Sequence, residues 1–197
     1  MKFIYIKENS YRIIYYLLNI LPYNFFEKIN YIIRNNTIVL TIKKNNLKFL
    51  MNFVKKHHLL QFKTLIAITA VDYPDKENRF ELNYFLLSYK LNFRLIVKTH
   101  TNDVFPVESI TSIFEGASWY EREVWDLFGI YFSNHPDLRR ILTDYGFDGF
   151  PFRKDFPQTG FLEVRYDDEK KYVLYEPIEI AQEFRSFDFA TPWLNVK

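Results

Sequence analysis

The chain has 197 residues, 48% of them hydrophobic, 20% aromatic and 25% charged, with a formal net charge of +2; this length suits one domain with a full core, or one domain plus an arm. It contains no Cys, which excludes disulfides, thiolate zinc sites, iron–sulfur ligation and cysteine nucleophiles together, so any electron chemistry lies in a partner. The small net charge conceals a gradient: residues 1–60 carry ten Lys and Arg against Glu8 and Glu27, whereas residues 121–197 carry ten against fifteen acids.

In chain order, the first feature is an uncharged stretch, residues 13–26, which contains Asn19 and Pro22. It is shorter than the ~20 apolar residues a membrane-spanning helix needs, and it reads as a helix packing on the core. Lys2, Lys7 and Arg12 precede it, but Glu8 interrupts them and no small-residue cleavage site follows, which argues against a signal peptide; one Ser, few Arg and an acid argue against a transit peptide. The cations of residues 1–60 stand singly or in pairs such as Lys43-Lys44 and Lys55-Lys56, without a Gly-rich or aromatic RNA-binding signature, so a solvated or partner-facing basic face is favoured over a nucleic-acid site.

Residues 37–42 are β-branched and short, and Leu47, Leu50, Met51 and Val54 recur at spacings of three and four. These predict a strand and then an amphipathic helix to about residue 58. Three runs rich in Ile, Val, Phe, Tyr and Thr follow at 64–71, 80–89 and 93–99, separated by turn-like polar segments; they predict an antiparallel meander. Pro106 and Gly116 bracket a predicted helix at 106–115. A second helix is expected from Ser118 to Gly129, opened by a capping box between Ser118 and Glu121 and carrying an Arg122–Asp126 pair one turn apart. Beyond Gly129, Pro and Gly become frequent and long regular elements are not expected. Residues 161–166 and 172–176 alternate apolar and charged side chains around Asp167-Asp168-Glu169-Lys170, predicting a two-stranded ribbon, with Phe184, Phe187, Phe189 and Trp193 following in an arm that needs a neighbour for burial.

As an enzyme, the chain would offer Glu121, Glu123, Asp126 and His135. Glu121 and Glu123 fall on different sides of a helix, so paired-carboxylate catalysis is disfavoured. His135 before Pro136 reads as a structural hydrogen-bonder at a helix start, and no second ligand stands at metal spacing around it. Gly146-Phe147-Asp148-Gly149 lacks the strand, glycines and Lys-Ser/Thr of a phosphate loop and reads as a turn. Arg153-Lys154-Asp155-Phe156-Pro157 is either a phosphate contact or, preferably, an ion-paired bend.

The run from Glu121 to Leu142, then Asp144-Tyr145-Gly146-Phe147 and Pro151-Phe152-Arg153-Lys154-Asp155-Phe156-Pro157, resembles the signature of the 30 kDa core-subunit family of respiratory complex I, in its mitochondrial form NADH dehydrogenase subunit 9. The likeness extends over residues 64–193, including Val71-Asp72-Tyr73-Pro74 and Glu183-Phe184-Arg185-Ser186-Phe187-Asp188-Phe189; residues 1–60 share only the general layout, and Phe150 and Phe152 stand where smaller or more polar residues are common. The resemblance implies an α+β fold, with helices packed on a mixed, largely antiparallel sheet and an extended C-terminal arm. The expected division is a globular domain at 1–130 and a partner-wrapping arm at 131–197. It further implies a non-catalytic subunit that braces the quinone-reducing module of a proton-pumping NADH:ubiquinone oxidoreductase. No cofactor would sit on this chain; FMN and iron–sulfur clusters would be held by other subunits. The partner would be the hydrogenase-like subunit of the quinone pocket, on the matrix side of the mitochondrial inner membrane.

Among motif positions, Trp125, Arg139, Arg153, Arg165, Phe184 and Arg185 are the residue types that carry interface energy, with Glu121, Arg122 and Asp126 organising the helix and His135, Pro136 and Asp155 completing the motif. Several of these can equally serve as internal ion pairs. Phe, Tyr, Ile, Asn and Lys, all encodable in A and T alone, make up 86 residues, consistent with a gene kept in an AT-rich organellar genome. The rival readings are a hydrolase using Glu121, Asp126 and His135, and an RNA-binding module in residues 1–60.

Overall fold

The computed structural model describes residues 16–17, 19–22, 25–32 and 37–180, together with 182, 185 and 187. Its order of elements is β1 (Phe26–Ile32), β2 (Thr37–Ile42), α1 (Leu47–Lys56), β3 (Thr64–Asp72), β4 (Phe80–Ser88), β5 (Phe93–Thr101), β6 (Val107–Glu108), α2 (Ala117–Phe128), β7 (Phe132–Ser133), β8 (Leu162–Asp167) and β9 (Tyr172–Pro177). The chain divides into two compact units, Met1–Phe156 and Pro157–Lys197. The segment 131–156, which the sequence pattern assigns to the arm, therefore lies within the first unit.

The first unit is built on a five-stranded sheet in the order β1-β2-β5-β4-β3. The β3–β4–β5 meander is antiparallel as expected, while β2 runs parallel to β5, in register from Thr37 opposite Arg94 to Ile42 opposite Thr99. From β2 the chain crosses through α1 to the far edge at β3, and the meander brings it back to β2's side. Helix α1 ends at Lys56 and points Leu47, Leu50, Met51 and Val54 into the core, all fully buried; each such side chain contributes about 1.5–3 kcal/mol of burial. All six residues of β2 are buried.

One expectation on the N-terminal side is met only partly. Within residues 13–26 the helical positions described are 16–17 and 19–20, and Leu17 and Leu21 are buried, the Leu21 amide donating to the Leu17 carbonyl; residues 13–15, 18, 23 and 24 lie outside the described residues. The uncharged stretch does not stay helical to its end, because Phe26 opens β1, an edge strand paired antiparallel with β2.

No helix forms at 106–115. Val107 and Glu108 instead pair in parallel with Phe132 and Ser133, the Val107 amide donating to the Tyr131 carbonyl and the Ser109 amide to that of Ser133. A single turn follows, with the amides of Ile113 and Phe114 both donating to Ile110. Backbone pairing to a distant segment outweighs the local preference of Pro106 for a helix start.

In the second unit, β8 and β9 form the predicted ribbon, antiparallel from Leu162 opposite Pro177 to Asp167 opposite Tyr172. Asp167 organises its turn: its carboxylate accepts the amides of Glu169 and Lys170, and its carbonyl accepts that of Lys171, whose φ of 59° is left-handed. Residues directly opposite share a face. Leu162, Val164, Tyr166, Val173, Tyr175 and Pro177 therefore make one apolar face, every member exposed. The other face is mixed, carrying Glu163, Arg165, Asp167 and Glu176 together with Tyr172 and Leu174, with the Arg165 guanidinium bidentate to Glu176 at 2.6 and 2.8 Å.

Candidate functional site

The motif residues converge on α2 and on the chain that returns past it. The helix starts at Ala117 without a side-chain cap, so the expected capping box does not form. Glu121 lies instead on the buried stripe with Ala117, Val124 and Phe128, and its carboxylate faces inward. One oxygen accepts the Ser109 hydroxyl at 2.6 Å and the other accepts the Ile110 amide at 2.8 Å, tying α2 to the segment after β6. Burial pushes the Glu121 carboxyl up to about 7, against the opposing pull of the Ser109 and Ile110 hydrogen bonds. The fully buried Tyr84 phenol is raised by its own burial and by the charge on Glu121.

His135 is not at a helix start, because no helix follows it. Its side chain is fully buried, with Nδ1 accepting the Asp137 amide at 3.1 Å and Nε2 lying 3.3 Å from the Ser118 carbonyl and 3.9 Å from Glu121. An accepting Nδ1 assigns the neutral ring's proton to Nε2, which then donates to Ser118. Asn134, at φ 61°, and Pro136 shape the turn that brings the ring inward.

The remaining motif carboxylate, Asp126, is also buried. Its Oδ2 accepts three successive amides, from Ile141, Leu142 and Thr143 at 3.2, 2.8 and 2.9 Å, and its Oδ1 accepts the Thr143 hydroxyl at 2.5 Å. Burial alone would raise this carboxyl, but the Thr143 hydroxyl and the three amides outweigh it and hold the group below its usual range. Arg122 does not pair with Asp126. It donates to the carbonyls of Arg139 and Arg140 at 3.1 and 3.2 Å, with its guanidinium 5.5 Å over the Trp119 ring. Arg122 and Asp126 thus grip consecutive parts of one loop, 139–143, from the same helix.

A second grip closes the unit. The Asp72 carboxylate, at the end of β3, receives Arg79 in a bidentate pair at 2.7 and 2.8 Å and the Lys154 amide at 2.8 Å. The Arg79 hydrogen bond, assisted by Lys154 and opposed by burial, holds the Asp72 carboxyl low. Arg79 also meets Asp155 at 2.9 Å. Arg153 donates to the Phe128 carbonyl at 2.7 Å, pairs with Asp103 at 2.6 Å and stacks 4.5 Å from Phe150. The 153–157 run is thus the ion-paired bend, and Gly146 and Gly149, both at positive φ, are turn residues.

Gly129, at φ +78°, ends α2 with its amide on the Trp125 carbonyl. A Cβ there would lie 2.6 Å from Arg153 Nη2 and 2.7 Å from the Phe150 ring. Gly129→Ala should therefore cost about 2–3 kcal/mol, from left-handed strain plus displacement of Phe150 and Arg153, as a lower urea midpoint at unchanged slope.

Chemically, this arrangement is a clamp. Glu121, Asp126 and His135 are spent on internal partners and have no exposed side-chain surface. The grooves at α1 are lined by none of them. Among the described residues no group of three or more His, Asp and Glu could hold a metal ion. The hydrolase reading fails on this geometry, since Glu121, Asp126 and His135, the residues it needs, all face inward.

Of the motif positions expected at an interface, Arg153 is tied to internal partners of the first unit, and Trp125 is half-buried against the core. Arg139 is exposed beside Asp137, and Arg165 and Arg185 are exposed; Phe184 lies outside the described residues. Sequence reasoning missed Ser109, Thr143, Asp72 and Arg79. Glu121 could have been placed correctly from its spacing of four after Ala117 and three before Val124, which puts it on the apolar stripe.

Comparison with known proteins agrees with this architecture. The family model described as the respiratory-chain NADH dehydrogenase 30 kDa subunit matches residues 40–162. The NADH-ubiquinone oxidoreductase subunit 9 of Reclinomonas americana is 56% identical over 160 residues, covering 81% of this chain and 78% of the relative. The protein of the same name from Acanthamoeba castellanii is 52% identical over 163 residues, covering 83% of each. A chain in the structure of the membrane-bound sulfane sulfur reductase, an archaeal respiratory membrane complex, superposes with a TM-score of 0.62 at 25% identity, covering 83% of this chain and 98% of that one. The family model spans β3 to β5, the signature helix and the clamped loop in one continuous match, and the chain belongs to the 30 kDa subunit family of the respiratory-chain NADH dehydrogenase.

Proposed function

We propose that this chain is a non-catalytic structural subunit of a proton-pumping NADH:ubiquinone oxidoreductase, bracing the quinone-reducing module of the peripheral arm. The first unit is a rigid platform. The second docks on a neighbouring subunit, the hydrogenase-like one beside the quinone pocket. FMN and the iron–sulfur clusters belong to other subunits, and the assembly lies on the matrix side of the mitochondrial inner membrane, with this gene in the mitochondrial genome.

The observation that carries this reading is the ribbon. Its apolar face exposes Leu162, Val164, Tyr166, Val173 and Tyr175, each between 52 and 56%. A two-stranded ribbon is marginal alone, and a contiguous apolar face of this kind calls for a covering surface. Arg165 and Glu176, on the opposite face, hold its register.

The test is a native gel of detergent-solubilised membranes carrying the double variant Val164→Asp, Tyr175→Asp. Both substitutions put charge on the apolar face and leave the first unit untouched. The expected result is a chain whose first unit still melts cooperatively but which is missing from the large complex. Normal assembly of the variant, or of a chain lacking residues 157–197, would overturn the proposal.

A further inference from the structure

From residue 28 to residue 71 the chain contains eight Lys and Arg and not one Asp or Glu. The fold gathers much of this charge on one side of α1. Asn45, Lys48, Phe49, Asn52 and Lys56, spaced by three and four, form one wall of a groove of about 480 Å³ whose other wall is Glu108, Ser112 and Ile113. A second concavity of about 460 Å³ is lined by Lys55, Lys56, His58, Gln61 and Lys63, so Lys56 lines both.

Part of the charge is used internally. Lys48 pairs with Glu108, Lys55 donates to the Ile113 carbonyl and lies over Phe114, and Lys44 lies over Phe105. Lys56 and Lys63 differ: both are exposed, and neither has an ion pair among the described residues. Lys56 in the last turn of α1 complements the helix dipole, but Lys63 lies beyond the helix and has no such task. Phe49, which lines the first groove, is 57% exposed.

We infer that this trough along α1, centred on Lys56 and Lys63, is a docking surface for an acidic, extended segment of another polypeptide. The complement is specific in chemistry. Asn45, Asn52 and Gln61 supply amides that both donate to and accept from a peptide backbone, the two lysines meet carboxylates, and Phe49 covers an apolar side chain between them. A phospholipid surface fits less well, because a planar headgroup layer is met by protruding basic and apolar side chains, and here the amides and lysines line a recess. A nucleic-acid strand fits less well too, since the trough has no Arg to engage phosphate bidentately. This surface lies in the first unit, away in sequence from the ribbon, so it is a second contact independent of the one proposed above.

The experiment compares the full chain free and in its native assembly. A zero-length carboxyl-to-amine cross-linker is applied to the solubilised assembly, and lysine acetylation is followed by mass spectrometry in both states. The expected result is that Lys56 and Lys63 are acetylated in the free chain, protected in the assembly, and cross-linked to Asp or Glu of another polypeptide. Lys56→Glu with Lys63→Glu should lose those cross-links, and Lys56→Arg with Lys63→Arg should keep the partner associated.

Full acetylation of both lysines inside an intact assembly overturns the inference while leaving the proposed function standing. Absence of the chain from any assembly overturns the proposed function first. Cross-links confined to a second copy of this chain, or binding of the free chain to phosphatidylserine vesicles or to single-stranded RNA that the charge-reversed variant loses, would also overturn the acidic-segment reading.

Discussion

Replacing Asp126 by alanine is expected to destabilise the first unit by about 3–5 kcal/mol, because one side chain satisfies four donors at once. Without it the amides of Ile141, Leu142 and Thr143 and the Thr143 hydroxyl lose their acceptor, and Arg140, 3.8 Å away, loses its nearest carboxylate. A typical hydrogen bond contributes about 1 kcal/mol net, one to a charged group about 1.5–3, and a donor left without a partner costs more than the bond was worth. Asp126→Asn is not a rescue, since an amide presents N–H groups where acceptors are needed. Urea unfolding measures the global effect, and amide exchange at Leu142 and Thr143 measures the local one. A loss below about 1 kcal/mol with those amides still protected would sink the account of Asp126 as the clamp. Arg122→Ala should have a smaller effect, because it removes two bonds to partly exposed carbonyls.

The second large effect is a pH dependence centred on Glu121. In the unfolded chain its carboxyl titrates near 4.5, and in the folded protein burial places it at about 7. The raised folded value means that the unfolded state gives up this proton first. The neutral buried carboxyl therefore contributes its stability in full below about pH 4.5 and loses it as pH rises towards 7, a difference of about 3 kcal/mol. Glu121→Gln removes that titration while keeping a carbonyl oxygen able to accept the Ile110 amide. Its stability should stay level over the interval in which the wild type declines, and should equal or exceed the wild type at pH 8.

The groups facing Glu121 are Ser109, Tyr84 and His135, and all remain in the variant, so the difference between the two curves isolates the one carboxyl. Asp72, Asp126 and Glu81, held low by their partners, act in the opposite sense. Their stabilisation is present above the usual carboxylate range and is lost as pH falls through their folded values, in wild type and variant alike. Parallel curves for wild type and Glu121→Gln between pH 4.5 and 7 would show that Glu121 is not buried as a proton-holding group.

Elements whose pattern is local were legible in the sequence. The spacing of Leu47, Leu50, Met51 and Val54 specified α1 because one stripe alone must be buried, and the β-branched runs specified β2 to β5. The alternation at 161–166 and 172–176 specified the ribbon. What was not legible depended on pairing across long separations. Val107 and Glu108 look like a helix start beside Pro106, but they become a strand because Phe132 and Ser133 arrive next to them. Ser118 and Glu121 have the spacing of a capping box, yet the burial of Glu121 and the presence of Ser109 redirect the carboxylate inward. Arg122 and Asp126 likewise stand one turn apart but find better partners in a loop that spacing within a helix cannot reveal. Of the interface residues, the sequence could supply types but not exposure, and Arg153 shows the difference: it is an interface type used as an internal strut.

The parallel pairing of β2 with β5 has a consequence for how the protein is made. Strand β2 is buried along its whole length, and one of its two neighbours in the sheet, paired from Thr37 opposite Arg94, lies 57 residues later, a delay of several seconds at ordinary rates of chain elongation. During that interval the nascent chain presents a complete hydrophobic strand with one edge open, while α1, β3 and β4 emerge ahead of the segment that closes it. The ribosome exit and the factors waiting there thus meet a sticky intermediate that the finished molecule conceals, and slowing translation between residues 43 and 92 would lengthen its life.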